Sequence, residues 1–268
     1  MDNRPIGVFD SGIGGLTAVS ALKDVLRYEN LIYFGDTGRC PYGTRTREQV
    51  RRYTRENLEF LASFNCKAMI AACGTVAASA LDILEEYRIP TFNVLVPGSE
   101  RMTRVPGNRP LAVTATKRSI DSGAYQRTME ELGTGSREVL YIPCQDFVVL
   151  CETGHVDRND PMLKEAVARY LTPAKEAGVS ALLLGCTHFG IIQSAIQDFM
   201  GEETEIISAS QSAADALADY VIENRLQGTN SSCRYFASGN LEEFDRMARF
   251  ILPGRYNGHA EKASTGLP

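Results

Sequence analysis

Two cysteines stand out among the residues able to do chemistry: Cys73 in MIAACGTVAASA (Met69 to Ala80) and Cys186 in LLLGCTHFGII (Leu182 to Ile192). Each closes a short apolar run, is followed by a threonine (Thr75, Thr187) and leads into a segment able to start a helix, which places both thiols at the carboxyl ends of buried strands. Ligands of open α/β sheets bind in such crevices. A strand-to-helix turn also offers free backbone N–H groups and a positive helix end, which favour thiolate over thiol. Taken singly, either cysteine serves equally well as inert packing. A nucleophilic hydrolase needs one cysteine, one base and an oxyanion hole, and leaves the second strand-end cysteine unexplained. A redox pair uses both, but a disulfide needs Cα atoms within about 7 Å, and a substrate held between the thiols prevents that approach. Taking a proton from one face of a carbon and returning one to the other face needs two acid/base groups on opposite sides. Two thiols from two lobes meet that need.

The elements that must position these thiols alternate as strand and helix, the pattern of a doubly wound α/β fold. Ile6 to Phe9 reads as the first strand, followed by the turn Asp10 to Gly15 and a helix from about Leu16 to Leu26. Leu31 to Phe34 is the second strand, and a long helix near Arg47 to Phe64 precedes the strand Ala68 to Ala72 and its Cys73 turn. A helix near Ala77 to Tyr87 leads to the run Thr91 to Val96. The cycle then restarts: strand Leu111 to Val113, turn Thr114 to Asp121, helix Ser122 to Leu132, strand Val139 to Ile142, a long helix within Pro161 to Ala177, and strand Ala181 to Leu184 running to Cys186. This order implies an internal duplication, two pseudosymmetric parallel-sheet lobes with the site in the cleft between them. The strand Ile206 to Ile207 and the helix near Ser212 to Asn224 lead back toward the first lobe. Past Leu252 the glycine-rich polar tail reads as frayed.

Other segments carry weaker signals. FDSGIGG exposes backbone N–H groups at a helix start, yet lacks the lysine and hydroxyl of a P-loop and the spacing of GxGxxG. Asp10 within it repels phosphate and can orient a thiol, a base or an ammonium group. The alternatives are a structural turn, a phosphate loop or a small-molecule site with Asp10 as participant. GDTGRCPYGTRT (Gly35 to Thr46) suits either a rigid lip presenting amides to a carboxylate or an ordinary connection. Cys186 with His188, and Cys151 with His155, are too sparse for a structural zinc site, so no metal is expected. No lysine occupies a comparable strand-end turn, Lys117 being the nearest, which disfavours pyridoxal phosphate and leaves no cofactor expected.

Composition narrows the class. The 268 residues are 44% hydrophobic and 23% charged, the profile of an ordinary globular protein. A net charge of −5 offers no general attraction for nucleic acid or an anionic membrane, so neither is expected as a partner. The basic run Arg45 to Arg55 is broken by Glu48 and polar residues at helical spacing and reads as a solvated helix face. Seven cysteines without a CxxC pair imply free thiols in a reducing compartment. No apolar stretch has the length of a membrane span and no signal-peptide core is present, so a cytoplasmic location is expected.

The segments GVFDSGIGGLTAV, YFGDTGRCPYGTRT, AACGTVA, SIDSGAY and LLGCTHF closely resemble, in order and spacing, those of the glutamate racemases, cofactor-independent members of the aspartate/glutamate racemase superfamily. The resemblance covers roughly Pro5 to Leu217 and implies a discontinuous first lobe of residues 1–96 with 208–268, made of both chain ends, and a second lobe, 97–207, inserted between them. It implies two-base interconversion of L- and D-glutamate, the D-isomer serving bacterial peptidoglycan, with Cys73 and Cys186 as the acid/base thiols. Asp10 would assist on the Cys73 side and His188 on the Cys186 side. Ser11, Pro41, Tyr42, Gly43, Gly74, Thr75, Thr116, Ser119 and Thr187 would line the substrate pocket, with Glu152 near the cleft. A homodimer is a further implication.

Four positions depart from the family pattern. Gly74 stands where asparagine is usual, removing an amide worth about 1 kcal/mol of hydrogen bonding. Phe189-Gly190 replaces Tyr-Pro, and Ser119 replaces a threonine while keeping its hydroxyl. The two-thiol chemistry is untouched by these changes. The alternatives they leave are an aspartate racemase and a non-catalytic binding protein that keeps the cleft.

Overall fold

Short apolar runs closed by turn residues become the strands of two parallel sheets. The structure is a computed structural model that describes residues 1–256 and 258–263. The first half runs β1 (Ile6–Asp10), α1 (Leu16–Val25), β2 (Asn30–Gly35), α2 (Arg47–Ala62), β3 (Ala68–Ala71), α3 (Gly74–Glu85), β4 (Thr91–Asn93) and α4 (Leu95–Thr103). The second runs β5 (Leu111–Ala115), α5 (Lys117–Asp121), α6 (Ala124–Leu132), β6 (Val139–Pro143), α7 (Gln145–Glu152), α8 (Pro161–Glu176), β7 (Ala181–Leu184), α9 (Gln193–Met200) and β8 (Glu205–Ser208). After these come α10 (Ala209–Glu223), β9 (Ser232–Ala237), α11 (Leu241–Ile251) and β10 (Glu261–Lys262).

Strand order makes the internal repeat visible. The first sheet is β10-β9-β2-β1-β3-β4 and the second β6-β5-β7-β8. Removing β9 and β10 leaves the same order in both. Ile6 pairs with Ala68 as Leu111 pairs with Ala181, so Cys73 and Cys186 occupy the same position beyond equivalent strands. By the same register Ser11 corresponds to Thr116.

Side chains alternate along the strands because successive residues of a β-strand face opposite ways, and both faces are apolar because helices cover both. Ile6, Val8, Ala68 and Ile70 point into a core shared with Leu111, Val113 and Leu183 of the second sheet. Phe9, Met69 and Ala71 point to a separate outer core under α2, while Ala112, Leu182 and Leu184 point to another under α8. Each fully buried Ile or Leu contributes about 2 kcal/mol of transfer free energy. The shared core is what fixes one lobe against the other. Its centre is α10, whose buried Ala209, Ala213, Ala214 and Ala218 let it lie close to α1 and α4.

Helix starts follow local capping chemistry. Thr46 and Gln49 form a reciprocal capping box on α2, Asp160 caps α8 just ahead of Pro161, and Asn240 caps α11.

Three sequence expectations are corrected. The Thr91 to Val96 run is strand only to Asn93. The Asn93 carboxamide oxygen accepts from the N–H groups of Leu95 and Val96 at 2.9 Å each, and α4 starts there with Pro97 in its first turn. The Ile206 to Ile207 strand does not rejoin the first sheet, because it pairs with β7 as the edge of the second. The tail past Leu252 is not frayed over its described part. Asp245 Oδ1 accepts from the Tyr256 hydroxyl and from the Ala260 N–H at 2.9 Å, the Tyr256 ring packs 4.6 Å from that of Tyr235, and β10 extends the first sheet beside β9. The rest of that expectation, residues 257 and 264–268, lies outside the described residues.

Candidate active site

The cleft between the two sheets' carboxyl ends is built from equivalent turns. Beyond β3, Cys73 takes the N-cap position of α3, and beyond β7, Cys186 opens a single 3₁₀ turn, Thr187–Gly190. Both thiols are buried and line one cavity of 20 Å³, room for about one water. Asp10 and Ser11 enter it from the end of β1, Thr116 from the end of β5, and Pro41, Tyr42 and Gly43 from the loop after β2. Gly74, Thr75, Thr187 and His188 complete the set of predicted residues on its wall.

The Cys73 side is a hydroxyl relay ending on a carboxylate. Cys73 Sγ lies 3.5 Å from the Ser11 hydroxyl, which donates to Asp10 Oδ1 at 3.1 Å. Burial, and after it the Asp10 charge, push the Cys73 thiol up to about 12. In this closed arrangement Cys73 is therefore a protonated thiol, which corrects the expectation that the turn alone would favour thiolate. The helix end and the Ser11 hydrogen bond act in the favourable direction but are outweighed by the loss of water.

The Cys186 side is an imidazole relay. Cys186 Sγ lies 3.8 Å from His188 Nδ1, and His188 Nε2 is 2.6 Å from Glu152 Oε1. Burial works to lower the His188 pKa, yet its hydrogen bonds to Cys186 and Glu152 prevail and hold it well above the ordinary histidine value. The imidazolium donates to the Glu152 carboxylate, which burial raises but the His188 contact brings below its usual range. Glu152 thus orients His188 from outside the cavity wall, on α7.

Asp10 is not confined to the Cys73 side. Its Oδ2 accepts from the Thr187 hydroxyl at 2.7 Å, tying the two lobes together beneath both thiols. That bond explains the glycine loop: a Cβ on Gly14 would lie 2.6 Å from both Thr187 Oγ1 and His188 Nδ1. Close approach of the lobes, rather than phosphate binding, requires glycine there.

Gly74 has a similar explanation. A Cβ at this position would meet the Gly185 carbonyl oxygen at 2.4 Å, so in this geometry no side chain fits. The absent amide is the condition for the lobes to close this far.

Other predicted residues are placed differently. Ser119 does not reach the cavity; fully buried, its hydroxyl bonds Thr116 Oγ1 at 2.9 Å from behind. Tyr42 lines the cavity while its ring packs against Tyr53 in the outer core and its hydroxyl donates to Asp36 and accepts from Asn57. Cys40, Gln145 and Val148 also line the cavity and were not foreseen. Cys40 sat inside the expected lip, whereas nothing in the pattern at the start of α7 distinguishes Gln145 or Val148. Of the remaining cysteine–histidine pair, Cys151 donates to the His188 carbonyl at 3.4 Å and His155 pairs with Asp160 at 2.8 Å.

Fold and site together define a class: a two-lobed, doubly wound α/β protein with a thiol from each lobe facing a common cavity. The Asp/Glu/Hydantoin racemase family matches residues 17–217. A glutamate racemase of Thermoanaerobacter pseudethanolicus is 35% identical over 254 residues, 94% of each chain. Among solved structures, a glutamate racemase isoform from Bacillus anthracis superposes with a TM-score of 0.88 at 30% identity, covering 98% of both chains. The glutamate racemase of Francisella tularensis in complex with D-glutamate superposes equally well, at 33% identity and 99% coverage of both. The chain belongs to this racemase family. None of its described helices is long and apolar enough to cross a membrane.

Proposed function

We propose that the chain interconverts L- and D-glutamate by moving the Cα proton between Cys73 and Cys186. The observation that carries this reading is the placement of two thiols at equivalent positions of duplicated lobes, on the wall of one cavity. One cysteine, as thiolate, takes the Cα proton and becomes a thiol; the electron pair left on Cα, delocalised into the α-carboxylate, takes the S–H proton of the other from the opposite face. Atoms and charge balance, and the two cysteines end with exchanged protonation states. The thiols supply both acid and base, so the step needs no organic cofactor or metal.

The surrounding groups fit the demands of an acidic carbon. The hydroxyls of Thr75 and Thr116 and the N–H groups at the start of α3 are donors available to a carboxylate. Asp10 faces the position where an ammonium group would offset its charge, which removes one of the causes that keep Cys73 protonated. A cavity of 20 Å³ is too small for an amino acid, so the lobes must part to admit it and close to exclude water. Glutamate rather than aspartate is favoured by the relatives at 30–35% identity. A non-catalytic role had rested on Gly74 alone, and Gly74 now has a packing reason. A cytoplasmic location and supply of D-glutamate to peptidoglycan follow from the same reading.

The test is circular dichroism of L-glutamate incubated with the protein and no added cofactor. Loss of optical activity with the unsubstituted protein, and none with Cys73→Ala or Cys186→Ala, is expected. Full activity in either variant would rule the two-thiol mechanism out.

A further inference from the structure

A second cavity, of 660 Å³, opens beside the closed thiol pocket and shares Gly43 and Gln145 with its wall. Four cations line it, Arg47, Lys117, Arg118 and Arg127, against one carboxylate, Asp121. Lys117 pairs with that carboxylate at 2.6 Å. The three arginines are held only by backbone carbonyls: Arg47 by Ser79 at 3.4 Å, Arg127 by Ser122 at 3.0 Å and Arg118 by Gly43 at 3.2 Å. Among the described residues none of the three forms an ion pair, although the chain carries a net charge of −5. Glu48 at the α2 N-terminus lies near Arg47 and Arg118; the backbone and the Thr46 hydroxyl, together with the charges of these two arginines, hold its carboxyl low, so it offsets part of their charge. Four cations thus face two carboxylates, and net positive charge is concentrated at one mouth of an acidic protein.

Arg118 sits where the two cavities meet, and its bond to Gly43 runs from the second lobe to the first. Parting the lobes to widen the thiol pocket breaks this contact and opens the pocket onto the basic cavity. We propose that the basic cavity is the capture vestibule through which an anionic amino acid reaches the thiols, with Arg118 closing the mouth behind it. The inference rests on the reading of the thiol pocket as the reaction site. Its physical basis is that a concave surface lined by one sign of charge concentrates counter-ions and accelerates their arrival, by about tenfold or more, with steep dependence on salt.

The pocket thiols themselves report on access. Alkylation rates of Cys73 and Cys186 with iodoacetate, an anion, and iodoacetamide, its neutral isostere, are measured by peptide mass spectrometry; their ratio cancels thiolate fraction and lobe opening. At about 20 mM salt, Arg47→Gln combined with Arg127→Gln is expected to lower the iodoacetate-to-iodoacetamide ratio at both thiols about fivefold. Cys233, outside the pocket, serves as control and keeps its ratio. The effect should vanish near 0.5 M salt, where screening confines a surface charge to about 4 Å. The kcat/KM for L-glutamate should fall in parallel and recover with it. An unchanged ratio, an equal change at Cys233, or a loss that persists at high salt would overturn the vestibule. A lowered ratio in a protein that does not turn over L-glutamate would leave the vestibule standing and refute the glutamate reading instead. A thermal melt of the double variant separates a folding defect from a charge effect.

Discussion

The two thiols are equivalent by topology and unlike by surroundings. Cys73 caps a helix of 12 residues and faces a serine and a carboxylate; Cys186 opens one 3₁₀ turn and faces a histidine held by a glutamate. A negative neighbour opposes thiolate formation, and a positive one assists it. Duplication therefore supplied the placement, while the neighbours differ: a carboxylate stands on the Cys73 side and an imidazolium on the Cys186 side. A two-base reaction needs one group to begin as acid and the other as base. Asp10 links the halves, because it loads the Cys73 side and bonds Thr187 beside Cys186.

The largest effect on this comparison comes from removing one thiol. Cys73→Ser and Cys186→Ser should each lower racemisation by about 10³-fold or more. The remaining thiol still reaches one face, so each variant should exchange the Cα hydrogen of one enantiomer with solvent deuterium and not that of the other. The two variants should choose opposite enantiomers, as read by proton NMR. Exchange of the same enantiomer by both would place the thiols on one side.

Next is the carboxylate that distinguishes the Cys73 side. Asp10→Asn removes a charge that holds the Cys73 thiol up, so Cys73 should be alkylated by iodoacetamide several-fold faster at pH 8, while turnover falls about 10²-fold. An unchanged alkylation rate would mean that the Asp10 charge does not hold the thiol up. The raised Cys73 value also fixes a pH dependence. The folded thiol titrates near 12 and the unfolded one near 8.5, so its contribution to stability is complete below about pH 8.5 and is lost as pH rises toward 12. Urea midpoints should decline over that window, and by less in Cys73→Ala.

A smaller effect is expected where the lobes meet. Gly74→Asn places a Cβ against the Gly185 carbonyl, which should prevent full closure and lower kcat about tenfold, with a destabilisation of about 1–3 kcal/mol by thermal melting. An active, stable Gly74→Asn protein would mean that the lobes close around an asparagine as well. The smallest effect lies far from both thiols. Tyr256→Phe loses the hydrogen bond that ties the tail to Asp245 and should cost about 1 kcal/mol without altering kinetics.

The thiols and the repeated framework were legible because apolar runs ending in Cys73 and Cys186 carry their periodicity locally. Part of what escaped was decided by contacts between separate elements. The tail past Leu252 looks polar and glycine-rich, yet Asp245 and Tyr235 hold it through Tyr256. β9 and α11 gave no comparable signal: β9 begins exposed at Ser232 and becomes buried only from Tyr235 onward, against β2. Asn93 was a readable cap ahead of Pro97, and the strand was extended past it only because Val94 to Val96 are apolar. Ser119 was placed on the pocket wall by resemblance, whereas its burial behind Thr116 depends on how α5 starts. The pKa of Cys73 was misjudged for a similar reason, since a turn read from sequence shows the helix end but not the water excluded by the opposite lobe.

The most direct measurement follows L-glutamate in D₂O with the unsubstituted protein, reading enantiomer by circular dichroism and Cα deuteration by NMR in the first few per cent of turnover. Two thiols on opposite faces predict that the D-glutamate formed is deuterated at Cα, because the donating thiol has exchanged with solvent, while the remaining L-glutamate keeps its hydrogen. D-glutamate that retains the original hydrogen would mean one group carries the same proton across both faces, and would contradict the account.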